Sequence, residues 1–184
     1  GRLAAAMGTA SKLSVQEELT KYAAYQQTSV TLKATLETGL GMMLETGLGM
    51  KRVDEGQLSQ KEKTLIQIAS FLKRELPVRL ARRVVELQNL PEGLHAMPSV
   101  QRVREWYEQS FIQLRRARAV RDVETEEEFC SLLIQIYERH APTLTTMARG
   151  VHELKVERGD DYRLEEASDV HAFLDKFYMS RIGI

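Results

Sequence analysis

A single cysteine, Cys130, in 184 residues excludes an internal disulfide framework and suits a reducing compartment. Prolines number only 4 and aromatics make up 7% of the chain, a composition that favours helices over a β-sandwich. Neither sign of charge is in excess, since Lys plus Arg and Asp plus Glu are both 26. That balance gives no electrostatic footprint for nucleic acid or an anionic membrane surface, and neither partner is expected. No run approaches the roughly 20 apolar residues that a bilayer span needs, so no membrane span is expected.

Sequence signatures of catalysis are missing as well. There is no GxxxxGK[ST] run and no HRD or DFG triplet. Gly39-Leu40-Gly41 and Gly47-Leu48-Gly49 come nearest to phosphate-binding glycines, but no strand pattern precedes them, and a loop or capping role is the better reading. His95, His140, His152 and His171 fall at spacings that form no HExxH or CxxC-type set, so no metal site is expected. Nothing in the spacing positions a Ser–His–Asp set. Arg115, Arg116, Arg118 and Arg121 read as a solvated face that complements the end of a helix.

What is present is helical periodicity. Ser14 and Glu17 have capping-box spacing, predicting a helix to about Tyr25, and a shorter helix is expected from Ser29 to Thr38 with Gly39 as its stop. The heptapeptide LETGLGM then occurs twice, at 36–42 and 44–50, as a local loop duplication or an error in the gene as read. Ser59 and Glu62 form a second box, followed by Leu65, Ile66, Ala69 and Leu72 at helical spacing, with a kink or restart expected at Pro77 and Leu80, Val84 and Leu87 continuing the face. A third long helix is predicted from Ser99, turning Val100, Val103, Tyr107 and Leu114 inward. A fourth is predicted from Thr125, boxed with Glu128 and bent at Pro142, with Phe129, Leu132, Leu133, Ile136, His140, Leu144, Met147 and Val151 facing in. A last helix from Ser168 buries Val170, Phe173, Leu174, Phe177 and Tyr178. These elements predict an all-α, up-and-down four-helix bundle over residues 59–184, with residues 1–58 forming a tail and one or two extra short N-terminal helices. The opening, with Arg2, Lys12 and no acidic residue before Glu17, resembles the tail of a mitochondrial presequence as much as a chain cut at an arbitrary point. Ser180 to Ile184 carries no cap and reads as an interrupted helix. On these grounds alone the chain is a helical interaction module.

Four segments, in order, resemble the family of pyruvate dehydrogenase kinases and branched-chain ketoacid dehydrogenase kinases: FLKRELPVRLA at 71–81, MPSVQRVREWYEQSF at 97–111, IYERHAPTLTTMARGV at 136–151 and FLDKFYMSRIGI at 173–184. The Pro-Ser-Val and Trp-Tyr wording is closer to the pyruvate branch. The resemblance implies the N-terminal helical half of a mitochondrial-matrix protein-serine/threonine kinase that phosphorylates the E1 component of a 2-ketoacid dehydrogenase complex. It implies ATP and Mg held by a GHKL-type domain beyond residue 184, so residues 1–184 alone are expected to bind neither and to be catalytically silent. It also implies a homodimer in the full-length form.

The resemblance assigns residues too. Arg139-His140 matches a pair whose histidine hydrogen-bonds the glutamate that serves as general base in the ATP domain, a supporting role. Leu80, Tyr107, Ser110, His140 and Arg181 match a small-anion pocket that takes pyruvate or dichloroacetate, although Tyr137 stands where many pyruvate-branch kinases have a second arginine. Val30 and Phe71 match an apolar slot for the lipoyl domain of the transacetylase core, while Thr35 and Thr38 replace aromatics common there, which weakens that docking. Two rival readings stand beside this one. The first is a non-enzymatic helical scaffold or binding protein lacking the kinase half. The second, a phosphotransfer bundle using His140, is disfavoured by Arg139 and Pro142 beside it.

Overall fold

The computed structural model describes residues 14–26 and 58–159, together with Val170, Ala172, Leu174, Asp175 and Phe177, and it contains helices and no strand among them. The all-α bundle expected from the sequence is what forms. Helix α1 spans Val15–Ala23, and the predicted box is present in full: the Ser14 side chain accepts from the Glu17 N–H while Glu17 accepts from the Ser14 N–H at 2.7 Å. Helix α2 spans Gln60–Gln88 behind the equivalent Ser59–Glu62 box. Pro77 lies inside α2 and removes the bond its N–H would make to the Lys73 carbonyl, yet the helix neither stops nor restarts there. Pro77 and Val78 are both buried, so tertiary packing on this stretch outweighs the lost bond.

A 3-10 helix over Pro91–Ala96 turns the chain into helix α3, Pro98–Arg116. Glu92 and Gly93 are both left-handed there, with φ of 61° and 85°. Glycine takes that conformation without steric cost, whereas Glu92 does not; the Arg158 guanidinium donates to the Glu92 carbonyl at 2.6 Å and pins the turn. Every α3 residue predicted to face inward does so: Val100, Val103, Tyr107 and Leu114 are all buried.

Helix α4 spans Val123–His140 and helix α5 spans Thr143–Arg158. Here the expectation needs correcting twice. The cap of α4 is Asp122, which makes a box with Thr125; Thr125 is therefore the third helical residue, and Glu128 is ion-paired to Arg118 at 2.9 Å. The single bent helix is instead two helices, because Pro142 has no N–H to continue the ladder and its carbonyl starts α5 by accepting from the Thr146 N–H at 3.0 Å. The restart shifts the buried face of α5 to Thr143, Met147, Gly150 and Leu154, which leaves Leu144, expected inside, 47% exposed. Val170 and Phe177 are buried in the same core, while the predicted helix from Ser29 to Thr38, the copied heptapeptide, Phe173 and Tyr178 lie outside the described residues.

Helix α3 is the central element, packing on α2, α4 and α5, while α1 packs along α2. Two interhelix devices lock this arrangement. Arg82 of α2 donates from Nε to the Ala23 carbonyl at 3.1 Å and from its guanidinium to the Tyr25 carbonyl, occupying free acceptors at the end of α1. Glu153 of α5 takes the Ser99 N–H at 2.9 Å and the Ser99 hydroxyl at 2.6 Å, supplying α3 with the N-terminal cap that Met97 cannot give. Beside that contact Gly150 brings α5 so close to α3 that a Cβ there would sit 2.5 Å from Val100 Cγ2.

Candidate functional site

Tyr107 and Ser110 stand three apart on α3 and therefore share one face, where the crossing of α4 brings Arg139 and His140 against them. Both of those are cationic types in the last turn of α4, where the exposed carbonyls favour positive charge. The Tyr107 ring is 2% exposed and meets the His140 ring edge to face, with centroids 4.3 Å apart and planes at 74°. Tyr107 also meets Phe177, with ring centroids 6.4 Å apart and planes at 69°.

Ser110 is the hub. Its hydroxyl is fully buried and lies 2.8 Å from the Trp106 carbonyl, 2.9 Å from His140 Nε2 and 2.8 Å from Arg139 Nη1. A hydroxyl has one proton and two lone pairs, and a guanidinium can only donate. One arrangement satisfies all three contacts: Ser110 donates to the Trp106 carbonyl and accepts from Arg139 and from the His140 Nε2–H. By this hydrogen-bond count Nε2 carries the proton, and in the neutral ring Nδ1 is left as the acceptor nitrogen.

The remaining sequence candidates are distributed as follows. Leu80 is buried in the core of α2, and Phe71 is half-buried earlier on the same helix. Val30, Thr35, Thr38 and Arg181 lie outside the described residues. Tyr137, one turn before Ala141, is 78% exposed. The serine–arginine contact had no signal in the sequence, because Ser110 and Arg139 are 29 positions apart and meet only through the helix crossing.

No group of three His, Cys, Asp or Glu side chains able to hold a metal ion occurs among the described residues. Nor is any helix among them long and apolar enough to cross a membrane. Cys130 is not an activated nucleophile: its thiol donates to the Glu126 carboxylate at 2.9 Å, and that bond, with burial, pushes it up to about 11. Buried Thr143 carries a hydroxyl with no hydrogen-bond partner among the described residues.

The family model described as mitochondrial branched-chain alpha-ketoacid dehydrogenase kinase matches residues 48–184. A mitochondrial [pyruvate dehydrogenase (acetyl-transferring)] kinase of Arabidopsis thaliana is 38% identical over 171 residues, covering 93% of this chain and 41% of the plant protein. The mouse isozyme 1 of the same kinase is 36% identical over 183 residues, 98% of this chain and 37% of the mouse protein. The Drosophila melanogaster kinase is 37% identical over 135 residues, 72% of this chain and 31% of the fly protein. The chain thus spans about two fifths or less of the length of these relatives.

Proposed function

The chain belongs to the mitochondrial ketoacid dehydrogenase kinase family, and from that premise we propose that it is the helical regulatory and docking region of a protein-serine/threonine kinase acting on a pyruvate dehydrogenase complex in the mitochondrial matrix. The observation that carries the reading is the Arg139–Ser110–His140 cluster packed against Tyr107. In this proposal residues 59–184 are the bundle proper, and α1 of the N-terminal region is docked onto it through buried Leu19.

Two roles converge on the cluster. The first is support of a general-base carboxylate elsewhere in the whole kinase. When the His140 ring changes tautomer, giving up its Nε2 proton to solvent and taking one at Nδ1, Ser110 is able to turn its own proton from the Trp106 carbonyl to Nε2, and the ring then presents Nδ1–H to a carboxylate with its net charge unchanged. Arg139 holds Ser110 in place through either state, so it positions rather than reacts. The second role is a pocket for a small carboxylate such as pyruvate, formed by Leu80, Tyr107, Ser110, His140 and Arg181. A guanidinium is suited to take a carboxylate in a bidentate fashion. Ser110, wholly buried and already carrying three partners, serves that pocket through Arg139 and His140 rather than by touching the anion. Phe71, with Val30, is assigned to a weak lipoyl-domain contact.

ATP and Mg belong in this reading to the whole kinase, which would act as a homodimer. The described residues offer no metal-ligating set. Two measurements test the proposal. Sodium pyruvate or dichloroacetate is expected to raise the melting temperature of the wild type, Arg181→Ala is expected to abolish the shift and Tyr107→Phe to reduce it. An absent shift in the wild type, or an unchanged one in Arg181→Ala, refutes the pocket. Phosphate transfer from labelled ATP to E1 serines by the full-length gene product tests the kinase activity, and its absence refutes that.

A further inference from the structure

One helical turn beyond Ser110, a cleft of about 460 Å³ lies between α1, α2 and the end of α3. It shares no lining residue with the Tyr107–Ser110–His140 cluster. Tyr22 of α1 and Tyr25, just past its end, meet edge to face with centroids 5.2 Å apart, and Leu114 also lines the cleft. The charged lining residues are Lys73, Arg74 and Arg115, all cationic, with no carboxylate among them.

The cations are placed rather than scattered. The Arg115 guanidinium sits 4.6 Å over the Tyr22 ring and 3.7 Å from Glu18, which holds it at the rim. Lys73 is half-buried and has no hydrogen-bonding or acidic partner among the described residues. Burial and the Arg115 guanidinium hold its ammonium below its ordinary value. The Ser70 hydroxyl donates to the Val120 carbonyl at 2.9 Å and so closes the floor instead of facing a ligand. Two like charges facing a partly enclosed space raise each other's cost unless an anion lies between them. A cavity of this size is in the range that holds a drug-sized or cofactor-sized molecule, far larger than a three-carbon acid requires.

We propose that this cleft binds an amphipathic small-molecule anion, its phosphate, sulfonate or carboxylate group set between Lys73 and Arg115 and its apolar or aromatic body lying along Tyr22, Tyr25 and Leu114. This binding is independent of the pyruvate-type pocket at Tyr107.

The test compares two dyes with the same ring system, 1-anilinonaphthalene-8-sulfonate and the uncharged N-phenyl-1-naphthylamine, by fluorescence titration of the purified protein. The wild type is expected to bind the sulfonate at least about tenfold more tightly, the value of one charge-assisted hydrogen bond. Lys73→Met is expected to remove most of that difference while leaving the uncharged dye's affinity in place, and Lys73→Arg to retain it. Inorganic pyrophosphate is expected to displace the sulfonate dye, and saturating pyruvate is not. Equal affinity for the two dyes in the wild type overturns the proposal. So does an unchanged sulfonate affinity in Lys73→Met, or displacement by pyruvate, which would put the dye in the other pocket. Lys73→Met keeps the aliphatic stem and breaks no hydrogen bond among the described residues, and helical circular dichroism checks its fold. If it fails to fold, the wild-type dye pair and Lys73→Arg still decide the question.

Discussion

Substituting Gly150 by alanine should destabilise this protein, although alanine is the better helix former. A Cβ on Gly150 falls 2.5 Å from Val100 Cγ2, 3.4 Å from the Val100 backbone nitrogen and 3.7 Å from Ser99 Cβ. Carbon atoms in contact prefer about 3.5–4.0 Å, so α5 must move away from α3 by roughly 1 Å or Val100 must leave its rotamer. Val100 is 1% exposed and β-branched, with one strongly preferred χ1 in a helix, so rotation is not a cheap escape. Overpacking of this kind costs about 1–3 kcal/mol, against about 1 kcal/mol gained from replacing a mid-helix glycine. The net expectation is a loss of about 1 kcal/mol. Val100→Ala alone should cost about 2 kcal/mol through lost burial and a small cavity. In that background the clash is gone, and Gly150→Ala should become stabilising by up to about 1 kcal/mol. Urea denaturation followed by circular dichroism, with Trp106 fluorescence as a second probe, measures all four corners of the cycle. If Gly150→Ala stabilises the wild type, or if the two substitutions add without coupling, the close α3–α5 crossing is wrong.

Ser110→Ala removes the acceptor shared by Arg139 and His140 and should cost about 1–2 kcal/mol, because both donors are half-buried and water replaces only part of the loss. Nitrogen NMR of the His140 ring should show the Nε2-protonated tautomer in the wild type and a shift of that balance in the variant; an unchanged spectrum would contradict the hub. Burial pushes Glu153 up, but its bonds from Ser99, with Arg149 and Arg102 nearby, outweigh that and leave it below its ordinary value. A carboxylate lowered in the folded state stabilises above its unfolded value of 4.5 and loses that contribution as pH falls through its folded value. Unfolding free energy of the wild type should therefore drop more steeply below pH 4.5 than that of Glu153→Gln, and parallel curves would refute the cap. Cys130, at about 11 rather than 9.0, should alkylate slowly at pH 8, and Glu126→Gln should speed iodoacetamide labelling about tenfold or more. Equal rates would remove Glu126 as the cause.

Short-range chemistry was legible in the residues, and long-range contact was not. The Ser14–Glu17 and Ser59–Glu62 boxes form as spaced, since each needs only a cap, a carboxylate three positions on and a helix behind them. The inward face of α3 followed from its periodicity. The start of α4 was misread because two boxes overlap there, and the Asp122 carboxylate, which accepts the Thr125 N–H at 2.9 Å, wins over the Thr125 hydroxyl. Leu144 was misassigned because a face extrapolated through Pro142 assumes an unbroken turn angle. The Ser99–Glu153 cap spans 54 positions and the Ser70–Val120 bond spans 50, so both depend on how helices cross. The family was readable only as a resemblance of wording, since helical periodicity alone describes many unrelated bundles.

The hold that Arg82 keeps on the carbonyls of Ala23 and Tyr25 joins positions 59 and 57 apart in sequence. Both acceptors are main-chain oxygens, which every residue type carries, so the fastening of the first helix to the second survives any substitution at positions 23 and 25 that keeps the backbone in place. The whole specificity of that fastening rests on one side chain, the arginine.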